Sequence, residues 1–559
     1  MKKTPMKNSS NLQSYLPYFF PKNHALGRRY RDEISEPVYP PKPMHPQYNS
    51  RSIISNLFAR GIIMLRMRAI TLTVVAVLAA NAGIVAGAQR PSSSQSPYVT
   101  PTASGWEVIS VISVGDVGGN GYRMVGIPDG LGAYDNGDGT FTVLMNHELA
   151  SRLGAIRAHG ATGAFVSEWI ISKRDFRVIS GADLATKHHV WNSATSRYEA
   201  AMGATNRFDR LCSADLPASS AFYNVASNKG TGERLFMTGE EAGNEGRAYA
   251  FVATGTNKGN TYELPKLGRF SWENSVANPY SGGRTIVMGM DDSTPGRVYI
   301  YQGTKTDTGL EIDKAGLTNG TLAGIKVKAN PAIAENLESG PINGTFSVVA
   351  VDTSANGAAQ RANSRAVGIT GFARPEDGGW ADAKTFYFTT TGADPDSSGA
   401  IGMQTGRLYR LTFDETAGGV DYDHGSISMV KDSSTLTGTD GATARKFDNM
   451  TVGEDGKLYI QEDPGNSPYI AKTWMFDPAT GSWTQILESD RARFLVPAAP
   501  FSQDKENSGI IEITSVLGRD DGKRYFLGVM QAHYTIPGEL VQGGQLYVIS
   551  ATPERGPTH

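Results

Sequence analysis

Cysteine is almost absent, with Cys212 the single one in 559 residues. A solitary thiol cannot close an intramolecular disulfide, so in a chain that carries an export-type leader it is either an inert buried group or a soft metal ligand. A basic surplus is absent as well. Lys and Arg total 53 against 55 Asp and Glu, with a pI near 6.5. That balance leaves no excess of cations to release counterions from a polyphosphate backbone, which excludes nucleic acid as the main partner. Three common hydrolase signatures are missing: Gly-x-Ser-x-Gly, His-Glu-x-x-His and Gly-x-x-x-x-Gly-Lys-Ser/Thr. Serine-nucleophile chemistry therefore has no support. Long helical patterns are scarce, with 185–201 and 358–364 as the weak candidates.

The first 63 residues are rich in Pro and Asn without sustained periodicity and read as a disordered or untranslated extension. Arg66 and Arg68 then precede the apolar run Ala69 to Val85 and the small residues Ala86-Gly87-Ala88. This matches a secretory signal over 64–88, cleaved before Gln89, with translation starting at Met64 or Met67. The alternative is an uncleaved anchor, since the run is near the lower limit for spanning. Arg28-Arg29 has no apolar region behind it and is not a twin-arginine signal. The mature chain, 89–559, is expected to be one domain, periplasmic or extracellular.

That region repeats one phrase, a Gly turn feeding a short strand centred on tyrosine. It occurs at Gly246-Arg247-Ala248-Tyr249, Gly296-Arg297-Val298-Tyr299, Gly406-Arg407-Leu408-Tyr409, Gly456-Lys457-Leu458-Tyr459, Gly522-Lys523-Arg524-Tyr525 and Gly544-Gln545-Leu546-Tyr547. Two of the separations are 50 residues. A period near 50 built of hairpins predicts an all-β propeller, because twisted four-stranded sheets shield one another's faces and edges when packed around an axis. A β-sandwich with an irregular domain is the competing architecture. Asp135-Asn136-Gly137-Asp138-Gly139-Thr140 resembles a calcium loop in composition but lacks the ligand spacing, and reads as a hairpin turn.

Carboxylates gather at strand ends: Glu148, Glu240-Glu241, Glu273, Glu376-Asp377, Asp448 and Glu462-Asp463. Each alone is an ordinary loop acid, yet in a propeller the strand ends converge on the axial channel. Clustered carboxylates repel unless cations fill the gap. Successive strand residues point to opposite faces, so only one of Glu240 and Glu241 is expected to meet a metal unless the backbone turns, and Arg247 could neutralise the other. His188-His189 reads as a surface pair.

With LMNHE (Leu144 to Glu148), HGATGAFVSEWIISKRDFRVISG (His159 to Gly181), RLCSADLP around Cys212, TGEE (Thr238 to Glu241), RPED (Arg374 to Asp377) and FDNMTVGEDGKLYIQED in view, the chain resembles the PhoX alkaline phosphatase family. The resemblance implies a six-bladed propeller whose axial site holds ferric iron and calcium. It implies Cys212 as the iron ligand, Glu273 and Glu376 as bridging acids, Glu240 or Glu241 on calcium, and Arg374 as a phosphate contact. Asp448 and Glu462 join the expected metal set, and Arg374 and Glu376 the catalytic one. The implied activity is a secreted phosphomonoesterase using a metal-bound hydroxide or oxo nucleophile on small phosphate esters. It would act as a monomer, without stable membrane association after signal cleavage. A calcium-stabilised binding propeller and a phytase-like hydrolase are the alternatives. The chain departs from the family pattern at Trp272 and Ala242.

Overall fold

The computed structural model describes residues 91–328, 340–392, 405–495 and 501–552. The expected leader, 64–88, and the extension before it lie outside these. Among the described residues no helix is long and apolar enough to cross a membrane.

Six four-stranded antiparallel blades surround an axis. Their innermost strands are Pro128–Asp135, Leu211–Asp215, Trp272–Ala277, Pro375–Trp380, Phe447–Val452 and Lys505–Glu512. Each packs on the next, and the sixth packs back on the first, which closes the ring. The amino-terminal side of the chain seals the closure. Trp106–Ser113 adds the outer strand of the sixth blade by pairing with Val541–Ala551, and Val99–Pro101 extends the fifth by pairing with Ser482–Ser489. Exposed edges invite pairing with other chains, and this stitching covers two of them. Gly344–Val351 hydrogen-bonds to both Thr321–Val327 and Gly419–Asp432, so the third and fourth blades share one nine-stranded sheet.

The tyrosines of the repeated phrase explain its recurrence. Tyr249, Tyr299, Tyr409, Tyr459, Tyr525 and Tyr547 are all buried. They do not mark one strand position, however. The copies at Gly246, Gly296 and Gly406 open third strands and the copy at Gly544 lies within one, whereas those at Gly456 and Gly522 open second strands. The spacing of 50 from Gly246 to Gly296 is thus a blade period, and the equal spacing from Gly406 to Gly456 is not. A turn feeding a strand that buries a tyrosine solves the same packing problem in either place.

Two local expectations meet different outcomes. The 358–364 segment is helical within Gly357–Ala366, capped by Asn356 accepting from the Ala359 N–H at 2.9 Å. The 185–201 segment is two strands, Lys187–Asn192 and Arg197–Ala200, on the outer edge of the second blade. Its pattern carries β-branched and aromatic residues whose packing on a neighbouring strand outweighs local helix propensity. His188 is accordingly no surface residue: it is buried, with its ring 4.4 Å from that of Phe208. Burial holds its pKa down to about 3. The Asp135 to Thr140 segment is the hairpin turn expected, with Gly137 and Gly139 at φ 76° and 87°.

Candidate metal centre

The second residue of every innermost strand carries a metal-ligand side chain: Asp129, Cys212, Glu273, Glu376, Asp448 and Glu506. All but Glu506 are buried at 8% exposure or less, and Glu506 is also partly enclosed. Each blade has a β-bulge in its inner strand near this level: in the first five it takes in the ring residue and its successor, which together face one residue of the second strand, and in the sixth it lies just past Glu506, between Asn507 and Gly509. A bulge breaks the strict alternation of a strand and re-aims side chains. It lets the ring residue and its successor both be placed relative to the axis.

Two groups of acids at this level are tight, one of them joined by Glu148 from the end of a second strand. Ligand atoms of Asp129, Glu148 and Cys212 lie within 4.8 Å of one another, as do those of Glu273, Glu376 and Asp448. The Cys212 thiol approaches Asp129 Oδ2 at 3.7 Å, and Ser213 Oγ donates to Glu273 Oε1 at 2.7 Å. Around them the ends of the second strands add Glu148, Glu241, Asp292 and Asp463, each paired in register with the residue preceding an inner strand.

Those preceding residues are unusual. Ile127, Arg210, Arg374 and Lys446 all have positive φ, between 47° and 57°. The left-handed region costs a non-glycine residue roughly 1–3 kcal/mol, and such strain persists only where the surroundings impose it. Two of the four bring cations to the acids. Arg374 grips Asp292 with both prongs, Nε to Oδ1 at 2.6 Å and Nη2 to Oδ2 at 2.9 Å, and stands 3.5 Å from Glu376. Arg210 donates to Glu148 Oε1 at 2.8 Å and to Glu241.

The charge balance decides what this well can hold. Burial first, and neighbouring acids second, raise Asp129, Glu241, Glu273, Glu376 and Asp448 well above the ordinary carboxylate range, and they raise the Cys212 thiol likewise. Burial also lifts Glu506 to about 7 against the pull of His533, 3.8 Å away. Asp292 is the exception. Burial pushes it upward, but the Arg374 fork wins and holds it low. Two like charges about 5 Å apart repel by roughly 3–4 kcal/mol at an effective dielectric of about 20, so one ionised triad would cost about as much as a domain's whole stability. The arginines cannot offset so many acids. Among the described residues the buried Glu376 Oε1 has no hydrogen bond, only the ion pair with Arg374. Hard oxygens with one soft sulfur, an excess of negative charge and a carboxylate oxygen without a hydrogen bond fit bound cations.

The structure sorts the residues expected from sequence. Cys212, Glu273, Glu376 and Asp448 come together in the ring, and Glu241 and Arg374 lie beside it. Glu240 does not join them. It accepts from Arg247 Nε and Nη2, both at 2.9 Å, and from the backbone of Asp209, in the wedge of the second blade. The alternation of strand faces separates it from Glu241, and Arg247 neutralises it. Glu462 also turns away. It accepts from Trp474 Nε1 and the Lys472 N–H at 2.9 Å, and from the Arg445 N–H at 3.1 Å. Trp272, one of the departures, stacks on Phe270 with ring centroids 3.9 Å apart and packs over Gly239. It leaves the ring chemistry untouched.

Asp129, Asp292 and Glu506 escaped sequence reasoning, and Glu148 was noted only as a strand-end acid. A signal was present: Pro-Asp-Gly, Leu-Cys-Ser, Trp-Glu-Asn, Pro-Glu-Asp, Phe-Asp-Asn and Lys-Glu-Asn open the six inner strands with a ligand between an anchor and a small or polar residue. The third members form a belt below the ring, where Asn274 Nδ2 donates to Asp377 Oδ1 at 2.6 Å and the Met450 N–H to Oδ2 at 3.1 Å. Beyond the belt, later residues of the same strands line a chamber of about 990 Å³ that includes Asp215, Arg234, Trp380 and Glu512.

Fold and site together define a six-bladed propeller with a polyanionic axial well. A family profile described as alkaline phosphatase PhoX matches residues 229–530, more than half of the chain. The protein belongs to the PhoX alkaline phosphatase family and is a phosphatase-type hydrolase. The matched span holds Glu273, Glu376, Asp448 and Glu506 and begins after Cys212. The fold is similar to that of Pseudomonas fluorescens PhoX in complex with vanadate, a transition-state analogue. That match has a TM-score of 0.56 at 13% identity over 83% of this chain and 97% of the other. A protein of unknown function from Dyadobacter fermentans (TM-score 0.33, 9% identity, 80% and 99% covered) and Synechocystis apocarotenoid oxygenase (0.31, 11%, 78% and 88%) are too distant to bear on function. No curated protein matches the chain.

Proposed function

We propose that this protein is an exported, metal-dependent phosphomonoesterase whose axial ring holds the cations and whose arginine-lined mouth receives the phosphate. The observation that carries it is the recurrence of a ligand side chain at the same position of all six inner strands, in a well that has too few protein cations to balance it. Asp129, Glu148 and Cys212 would hold one cation, and Glu273, Glu376 and Asp448 another. The thiolate suits iron and the carboxylates suit calcium. Bound cations supply the Lewis acidity that draws charge from phosphoryl oxygens and activates water.

The rest of the chemistry belongs to this chain. Arg374, fixed by its two-pronged bond to Asp292, presents positive charge beside Glu376 where a phosphate would meet the ring. A planar guanidinium suits tetrahedral phosphate geometry, and holding it in advance avoids an ordering cost when charge builds on the equatorial oxygens. Glu376 shapes the floor beneath it. Arg210 keeps Glu148 and Glu241 aligned at the same rim. Asn274, Asp377 and Asn449 separate the ring from the chamber and line the latter's upper end.

A small phosphate ester, supported by family membership, and a periplasmic or extracellular site, supported by the leader pattern over 64–88, complete the reading together with a monomeric state. A colorimetric assay with a phosphate monoester, run with and without chelator beside elemental analysis, tests it. Hydrolysis that is lost with the metal supports the proposal. Metal-free protein with full activity, or metal-loaded protein with none, overturns it.

A further inference from the structure

Gln531 stands in the second strand of the sixth blade, Arg524–Ile536, and is fully buried. Its Nε2 donates to Asp129 Oδ2 at 2.8 Å and to Glu148 Oε2 at 2.9 Å. Among the described residues its Oε1 has no hydrogen-bond partner. Asp129 Oδ2 is also the atom approached by the Cys212 thiol. One uncharged amide therefore ties together the carboxylates that share a candidate metal-ligand triad with the single cysteine, and it keeps an unpartnered oxygen in the same enclosed space. It lies one residue past the end of the family-matched span.

We infer that Gln531 is a positioning residue for the Asp129–Glu148–Cys212 half of the ring, setting those three groups for a divalent or trivalent cation. The inference rests on the metal-binding reading above. The physical reason is that two repelling carboxylates need a donor between them to converge before the cation arrives, and a carboxylate in place of the amide would add to the repulsion. Groups that orient metal ligands from outside typically change affinity about 10- to 100-fold when removed. The partnerless Oε1 also gives the amide a face that can turn to the cation, which no apolar side chain of the same size supplies.

The test loads metal-stripped protein with cobalt(II) and reads affinity by competition with a chelator, together with the thiolate-to-cobalt charge-transfer absorption that reports Cys212. Gln531→Met keeps the volume and removes both donors. Its affinity in this half-site should fall about 10- to 100-fold and the charge-transfer band should weaken or shift. Gln461→Met, at a buried glutamine of the fifth blade whose Nε2 meets Tyr547 Oη at 3.3 Å, serves as the control and should match wild type. If Gln531→Met fails to fold by circular dichroism, Gln531→Asn keeps an amide too short to span both carboxylates and should show the same loss. A folded Gln531 variant with wild-type affinity and absorption overturns the inference. Wild-type protein that takes up no cobalt overturns the metal-binding reading itself, so the two failures are distinguishable.

Discussion

Cys212 and Asp129, 83 residues apart in the chain, meet between the inner strands of adjacent blades with Sγ 3.7 Å from Oδ2. Neighbouring inner strands of a propeller bring such pairs together whatever their separation in sequence. The geometry matters because burial first, and the neighbouring acids second, raise the thiol's pKa, which a bound cation would offset by taking up the thiolate charge. Cys212→Ser should abolish binding of the softest cation and lower the phosphatase rate at least about 100-fold. Elemental analysis and initial rates on the same preparation check this, and retention of both contradicts it.

Arg374 acts through its shape as well as its charge. Arg374→Lys keeps the cation but loses the fork on Asp292, and kcat/KM should fall about 10- to 100-fold while metal content stays at the wild-type level. Steady-state kinetics beside elemental analysis reads both. An unchanged kcat/KM would remove Arg374 from phosphate recognition.

Glu240 and Glu241 should behave differently despite being adjacent. Glu240→Gln leaves Arg247 without its buried partner and should lower stability by about 3 kcal/mol or more without changing metal content. Glu241→Gln should instead weaken cation binding and cost little stability. Thermal unfolding and elemental analysis of the two variants separate the roles, and equal effects on both readouts would refute the division.

Asp215 lines the chamber below the belt, and burial raises its pKa to about 7. A carboxyl whose folded pKa lies above its unfolded value favours folding fully below about pH 4, and that contribution is lost as pH rises through 7. Asp215→Asn should therefore flatten the fall of Tm between about pH 4 and pH 7. An unchanged slope would show that the carboxyl does not titrate in this range.

How much of this was legible in the sequence follows from what each signal encodes. The tyrosine phrase encodes a strand that buries an aromatic, so it announced an all-β radial body but not which strand of a blade each copy belongs to. Cys212, Glu273, Glu376 and Asp448 were legible as candidates because a lone thiol and acids at strand ends stand out, and the family resemblance pointed to the first three. Glu462 shares that context, yet four donors from the protein consume its carboxylate, and nothing local in Gln461-Glu462-Asp463 reveals it. Asp129 and Glu506 sit in Pro-Asp-Gly and Lys-Glu-Asn, which look like turns until six such tripeptides are aligned on the inner strands. His188 misled because its neighbours are polar, while the Phe208 and Tyr249 rings that enclose it come from elsewhere in the chain.

The most direct measurement is anomalous diffraction from crystals of protein purified without chelator. The account predicts anomalous peaks on the axis among Asp129, Glu148 and Cys212 and among Glu273, Glu376 and Asp448. A ring in which protonated carboxyls bond one another through water, with no anomalous peak within bonding distance of Cys212 or Glu376, would contradict it.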